Sequence, residues 1–404
     1  MKVKVVYYGS IYDRNGAAKV VRTFADQRQL FFAYCGHDVM VFDKSCSESV
    51  YKGSENEVKL GSSLLYSIKR KIKTVLGNTI MEKYRNSYFG TKRLLERACW
   101  VEKGRNTIDR YFSQSFDDDA IIFHDIFTCW AYFDYCKRNK LEPKKVILVL
   151  HTNGEMFKMV LISFPNINGT RYHKVMNKRA EVCYRYAKRI VFVSEGSAKV
   201  FKQQYPVYAE KVNVVYNGIE DMSISPVFDG TVRMVTVGTV CRRKNQILLL
   251  DCLKIIRKHC DATLTVIGGG PSLEECKQRA KELKLDQWVS FLGSMDGVAN
   301  ELTKCNLFVM SSLDEGLPIA AIEALRAKLP VVLTDVGGCR ELIEDNGYLV
   351  QPNVDEITDA VIDFGKDVEK QKKMSEASYR LFKGKFTLDS MIRGYSRIID
   401  DMFH

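Results

Sequence analysis

Two carboxylates, a run of three cations and a triple glycine are the residues whose types and spacing could do chemistry in this 404-residue chain. Glu315 and Glu323 stand eight positions apart, the first in the polar turn Ser311-Ser312-Leu313-Asp314-Glu315-Gly316-Leu317-Pro318. Pro318 suits the first turn of a helix continuing through 319–328. The free N–H groups and positive dipole end of that helix make a ready site for phosphate. Carboxylates beside such a site can accept hydrogen bonds from sugar hydroxyls, although Glu323 also reads as an ordinary helix residue. Arg242, Arg243 and Lys244 follow Gly238-Thr239-Val240-Cys241 and suit a diphosphate, or simply form a solvated charged loop. Gly268-Gly269-Gly270-Pro271 permits close backbone approach to a ligand, or merely a tight turn.

The elements that must position these residues are short Val/Ile-rich runs alternating with helical stretches. They lie at 3–8, 121–123, 146–150, 190–193 and 212–216, then at 232–237, 263–267, 288–292, 307–310 and 331–334. Continuous β-branched runs between helices imply parallel strands buried on both faces. Ten strands favour two α/β domains over one open sheet. The aperiodic stretch 221–231 marks the boundary, and 232–238 restarts with a strand running into a glycine turn, as 3–9 does. Residues 386–403 have a helical pattern. Ligands of such sheets sit at the carboxyl ends of the strands, where all three features above fall.

Lys and Arg number 61 against 49 Asp and Glu, a net charge of +12, which points to anionic partners. With 46% hydrophobic and 27% charged residues the composition is globular, against disorder or a fibre. No apolar run reads as a secretory leader or a membrane span. The 12 cysteines show no CxxC, which excludes a zinc ribbon and a disulfide scaffold as leading ideas and reads as reduced thiols. Residues 61–110 carry 12 of the cations against four acids. Around Ile68, apolar positions 64, 65, 68, 72, 75 and 76 interleave with Lys69, Arg70, Lys71 and Lys73 as an amphipathic cationic helix. It reads either as a packed helix with a solvated face or as a dock for anionic lipid. No aromatic-interleaved motif for nucleic acid appears, so no nucleic-acid partner is expected. His124-Asp125 lines a cleft or caps a helix, Ser194 caps one, and Asp117-Asp118-Asp119 reads as a solvated loop before a strand. No metal-ligand constellation emerges.

Taken in order, Gly238…Lys244, Gly268–Pro271, Glu315-Gly316-Leu317…Glu323 and Thr334-Asp335-Val336-Gly337-Gly338 resemble the retaining glycosyltransferases of family 4. The resemblance covers 232–350 well. It is looser at Gly9–Ala18, His124-Asp125, His151-Thr152, Val193-Ser194 and Asn217-Gly218. It implies the GT-B fold: two Rossmann-like domains with parallel sheets facing a central cleft. Residues 1–220 would bind the acceptor, 221–385 the nucleotide sugar, and a helix in 386–404 would cross back to the first domain.

The same resemblance implies roles. Lys244, with the backbone of Gly316 and Leu317, would bind the donor diphosphate. Glu315 would hold the transferred sugar and Glu323 the ribose. Ser294 and Met295 would pack the base, with Gly269 nearby. His151 would face the sugar and Gly16 the phosphates and acceptor. The chain departs from the family at Thr239, where an Arg is frequent, and Arg242 or Arg243 is expected to supply that charge. The N-terminal loop has Gly16-Ala17 where the family has a glycine pair. The expected activity is transfer of a sugar, with retention, from a nucleotide-diphosphate sugar to a glycan or lipid-linked glycan. Neither a metal nor a cofactor is expected, and the expected location is the cytoplasm or the inner membrane face. The rival readings are a sugar-nucleotide epimerase or hydrolase of the same fold, and a non-catalytic protein that binds anionic membranes.

Overall fold

The computed structural model describes residues 1–13, 16–44, 87–114, 117–222 and 225–403. Among them the chain forms two six-stranded sheets, in the orders β2-β1-β3-β4-β5-β6 and β12-β11-β10-β7-β8-β9. The first holds β1 (Lys2–Val6), β2 (Asp38–Phe42), β3 (Ala120–Phe123), β4 (Lys145–Leu150), β5 (Arg189–Phe192) and β6 (Val212–Val214). The second holds β7 (Val232–Val237), β8 (Ala262–Ile267), β9 (Val289–Gly293), β10 (Leu307–Met310), β11 (Val331–Thr334) and β12 (Gly347–Val350). The pairing is parallel, as Val3↔Val39, Val5↔Ile122, Met234↔Leu264 and Val309↔Val332 illustrate. The α/β class with two parallel sheets is therefore the one the β-branched runs called for. Val3, Val5, Ile121, Ile122, Val235 and Val309 are fully buried, which follows from helices covering both faces.

The strands β2 and β12 are absent from the sequence reading. Both lie at the end of their sheet, and DVMVF and GYLV are only partly buried. An edge strand has one neighbour to pack against, so it needs no unbroken apolar run.

Counted from β7, the second sheet has the doubly wound order, with its direction of connection reversing between β7 and β10. The loops leaving those two adjacent strands are the cation run and the Glu315 turn. A core including Val232, Leu250, Leu253, Leu264, Leu307, Val332 and Phe364 fixes the strands beneath them.

Two compact units divide the chain: Met1–Leu150 with Val160–Val191 and Met402–His404, and His151–Met159 with Phe192–Asp401. The helix Leu388–Phe403 follows the isolated bridge Ile219↔Thr387. The Gly218 N–H donates to Met391 Sδ at 3.2 Å. Within the first unit, Lys145 Nζ donates to the Met402 carbonyl at 2.8 Å. Among the described residues no helix is long and apolar enough to cross a membrane. The basic helix expected around Ile68 lies outside the described residues.

Candidate active site

Within the second unit, the loop after β7 is bound to the loop after β10. Ser311 Oγ donates to the carbonyls of Lys244 (3.2 Å) and Asn245 (2.9 Å), and the Leu313 N–H donates to the Arg243 carbonyl at 2.8 Å. This lacing delivers the cations to Glu315. Lys244 Nζ donates to Glu315 Oε1 at 2.5 Å, and Arg243 Nη1 lies 3.3 Å from the same oxygen. Arg243 Nη1 also donates to the Asp314 carbonyl at 2.6 Å. Arg242 is exposed, so the geometry brings Arg243 rather than Arg242 to the carboxylate.

Glu315 is only 7% exposed. Burial works to raise its pKa, but Lys244 and Arg243 outweigh that and hold the carboxyl below its ordinary value. It is therefore an ionised acceptor at neutral pH. Asp314, its neighbour, is pushed up to about 6 by burial, against the pull of Arg243 and with the repulsion of Glu315.

Glycines let the surrounding backbones close in. Gly268 has φ +141°, and a side chain there would overlap the Gly238 carbonyl. The Gly269 N–H donates to Ser294 Oγ at 3.0 Å, so the loops after β7, β8 and β9 meet. On the other side, a Cβ on Gly316 would stand 2.8 Å from the carbonyl carbon and oxygen of His151. The Gly338 N–H donates to the Gly316 carbonyl at 2.8 Å. Gly337, at φ +53°, abuts the Glu315 carbonyl. Asn217 Nδ2 donates to the Leu317 carbonyl at 3.4 Å. His151 is only partly covered, yet burial of its ring pushes the imidazole down to about 4, which keeps it neutral at physiological pH.

The structure thus gathers His151, Arg243, Lys244, Glu315, Gly316 and Leu317 around one turn, and joins Gly269 to Ser294. Pro318 is the N-cap of the helix Ile319–Arg326 rather than part of its first turn, and Glu323 sits half-buried on that helix. Met295 is partly covered beside Ser294. Gly16 opens the helix Gly16–Asp26 in the first unit and is exposed. His124 is buried edge-on against Phe24, while Asp125 caps the helix Ile126–Arg138. Ser194 caps the helix Glu195–Gln204, as its position suggested. Asp118 departs from the solvated loop expected of it. It is buried, accepts from Tyr111 Oη at 2.9 Å and pairs with the buried Lys4 at 3.6 Å. Among the described residues no three His, Cys, Asp or Glu side chains are placed to hold a metal ion.

Glu341 is a residue that sequence reasoning does not find. Its carboxylate accepts the backbone N–H groups of Glu195 (2.9 Å) and Gly196 (2.8 Å), at the start of the helix Glu195–Gln204. Tyr216 also bonds it, which helps to raise the phenol's pKa after the larger effect of burial. Glu341 lies in the turn Gly337–Leu342, whose glycines hold the backbone of Glu315 and Gly316. Nothing in its spacing from Gly337 announces a capping carboxylate for a helix 146 positions away.

Solved structures share this architecture across nearly the whole chain. Sucrose-phosphate synthase from Thermosynechococcus elongatus superposes with a TM-score of 0.72 at 15% identity, covering 100% of this chain and 99% of that one. Anabaena HepE, solved in complex with UDP and glucose, gives 0.67 at 15% identity and 99% of each chain. The fold is GT-B. Residues 15–221 match the family model described as Glycosyltransferase Family 4, and residues 219–381 the model described as Glycosyl transferases group 1. The chain belongs to glycosyltransferase family 4.

Curated relatives include the Escherichia coli O-antigen biosynthesis glycosyltransferase WbnH, 30% identical over 51% of this chain and 58% of its own length. Another is the Campylobacter jejuni N-acetylgalactosamine-N,N'-diacetylbacillosaminyl-diphospho-undecaprenol 4-alpha-N-acetylgalactosaminyltransferase, 28% identical over 53% of this chain and 61% of that one. The matched regions thus span little more than half of these relatives.

Proposed function

We propose that this protein transfers a sugar from a nucleotide-diphosphate sugar to a glycan or lipid-linked glycan acceptor, with retention of anomeric configuration. The carrying observation is the Arg243–Lys244–Glu315 cluster, buried at the switch point of the second sheet. Breaking the anomeric bond leaves negative charge on the β-phosphate and positive charge on the sugar ring. In this reading Lys244 and Arg243 stabilise the first, with the N–H groups of Gly316 and Leu317. Glu315, ionised, orients the sugar hydroxyls, and Glu323 is assigned the ribose. Ser294, Met295 and Gly269 line the base, while Arg242 stands as an outer contact of the phosphates. His151, being neutral, can bond to the sugar without adding positive charge beside a cationic ring.

The departing phosphate takes the acceptor proton, so no separate carboxylate base is assigned, and charge neutralisation is given to the side-chain cations rather than to a metal. HepE was solved with UDP and glucose, and the Campylobacter relative is named for an undecaprenol-linked acceptor. Both support a uridine nucleotide and a lipid-linked acceptor as first trials. An acceptor of that kind would be met at the inner membrane face. The test is incubation with UDP-, GDP- and ADP-sugars and with lipid-linked or free glycans, followed by analysis of products. A new α- or β-linked glycan that keeps the donor's anomeric configuration supports the reading. Nucleotide release without any glycan product supports the hydrolase or epimerase instead.

A further inference from the structure

Two neighbouring carboxylates in one buried turn are treated unequally. Glu315 Oε1 meets both Lys244 and Arg243. Asp314 is only 4% exposed, and its Oδ1 is buried with no hydrogen-bond partner among the described residues. A buried carboxyl without a partner is costly to ionise and holds a proton more readily instead. Four charged groups bear on it. Arg243, from the loop after β7, favours the ionised form, and Glu315 opposes it. Lys158 favours it and Glu155 opposes it, but these two pair with each other at 2.5 Å and are about half exposed, so their effects largely offset. His151, whose backbone faces Gly316, is neutral above about 4, and burial keeps Cys339 of the turn Gly337–Leu342 protonated. Arg243 is therefore the charge that decides whether Asp314 is ionised.

Arg243 is held by the same turn. Its carbonyl accepts the Leu313 N–H at 2.8 Å, and its Nη1 donates to the Asp314 carbonyl at 2.6 Å and lies 3.3 Å from Glu315. Nε and Nη2 donate to nothing among the described residues, so they can meet an anion without breaking these contacts. A diphosphate oxygen at that edge adds negative charge beside Asp314 and engages the cation that stabilised its ionised form. We propose that Asp314 is a binding residue of the donor site, taking a proton from solvent as the diphosphate of a sugar nucleotide engages Arg243, so that donor and proton bind together. This presupposes that the donor binds at Lys244 and Arg243, as assigned above. Without donor, Asp314 titrates at about 6. With donor that point moves up. Between the two the complex holds a proton that the uncomplexed chain lacks, so affinity rises as pH falls through the interval.

The test is calorimetric titration of UDP-, GDP- and ADP-glucose into the full chain between pH ~6 and ~8, in buffers that differ in heat of ionisation. Sugar nucleotides are used because their diphosphate is esterified at both ends and takes up no proton in this range, unlike a terminal phosphate. The wild type is expected to take up roughly half a proton per donor bound near pH ~7, with affinity falling several-fold towards pH ~8. Asp314→Asn should take up none, lose the pH dependence and bind more tightly than the wild type at pH ~8. Asp314→Glu retains a titratable carboxyl and should retain the uptake. A purely structural role would instead change affinity equally at every pH. Donor binding by the wild type without proton uptake overturns the proposal and leaves the donor site standing. Uptake that Asp314→Asn retains in full does the same. Failure of all three sugar nucleotides to bind counts against the donor site itself and overturns both.

Discussion

Lys244 Nζ lies 2.5 Å from Glu315 Oε1, an ion pair joining the loops after two adjacent strands of the second sheet, with Glu315 only 7% exposed. Two consequences separate its role in stability from its role in chemistry. Removing one partner of a buried pair strands the other charge. Lys244→Met should thus cost roughly 2–3 kcal/mol, less than a full loss because Arg243 remains. Combining it with Glu315→Gln should recover most of that stability in urea unfolding. Turnover should not recover: each single change and the pair should lose ~10²-fold or more. Near-normal turnover in either single variant would break the site assignment.

Glu341 ties the turn Gly337–Leu342 to the first N–H groups of the helix Glu195–Gln204, and that turn grips Gly316. Glu341→Ala should lower kcat on the order of 10-fold or more and weaken nucleotide affinity by less, because the turn it anchors holds only Gly316 of the proposed diphosphate contacts while Lys244 and Arg243 keep their places. Glu341→Gln retains one acceptor oxygen and should restore part of the rate. Steady-state kinetics with nucleotide binding measured alongside checks this, and equal loss in kcat and affinity would count against a positioning role.

Asp314 gives a pH signature. Its carboxyl is pushed up to about 6 in the folded chain. Between the ordinary carboxylate value of ~4 and that point, the folded chain holds a proton that the unfolded chain has released, so stability falls as pH rises. Asp314→Asn removes this loss. It should stabilise the protein by up to roughly 2 kcal/mol above pH ~6 and by nothing below ~4. Thermal unfolding across that range, against the wild type, reads the sign directly.

Gly337 and Gly230 both have positive φ, +53° and +91°, but only Gly337 meets backbone where its side chain would be. Gly230→Ala should cost about 1–2 kcal/mol for the dihedral alone, with activity retained. Gly337→Ala adds displacement of the Glu315 carbonyl, so it should cost more and lower turnover. Paired unfolding and activity measurements distinguish the two.

The central strands were legible because a strand buried on both faces must be β-branched throughout, and Val3, Val5, Ile121, Ile122 and Val309 state this directly. The edges β2 and β12 were not, since half-buried strands tolerate Asp38, Met40 and Tyr348. Lys244 and Glu315 could be read from their loops and from family resemblance together. The choice between Arg242 and Arg243 could not, because adjacent residues in a turn point differently and only the folded loop decides. Glu341 and Asp118 were hidden for another reason. Their partners, Gly196 and Lys4, lie more than a hundred residues away, and no local pattern encodes such a bond.

The measurement closest to the central claim is calorimetric titration of UDP, GDP and ADP into the wild type and Lys244→Met/Glu315→Gln, the pair expected to keep its fold. One nucleotide is expected to bind the wild type, and to bind the double variant at least about tenfold more weakly, as follows when a diphosphate loses a charged partner. Binding of equal strength to both proteins, or of no nucleotide to either, would contradict the assignment of Lys244 and Glu315 to the donor site.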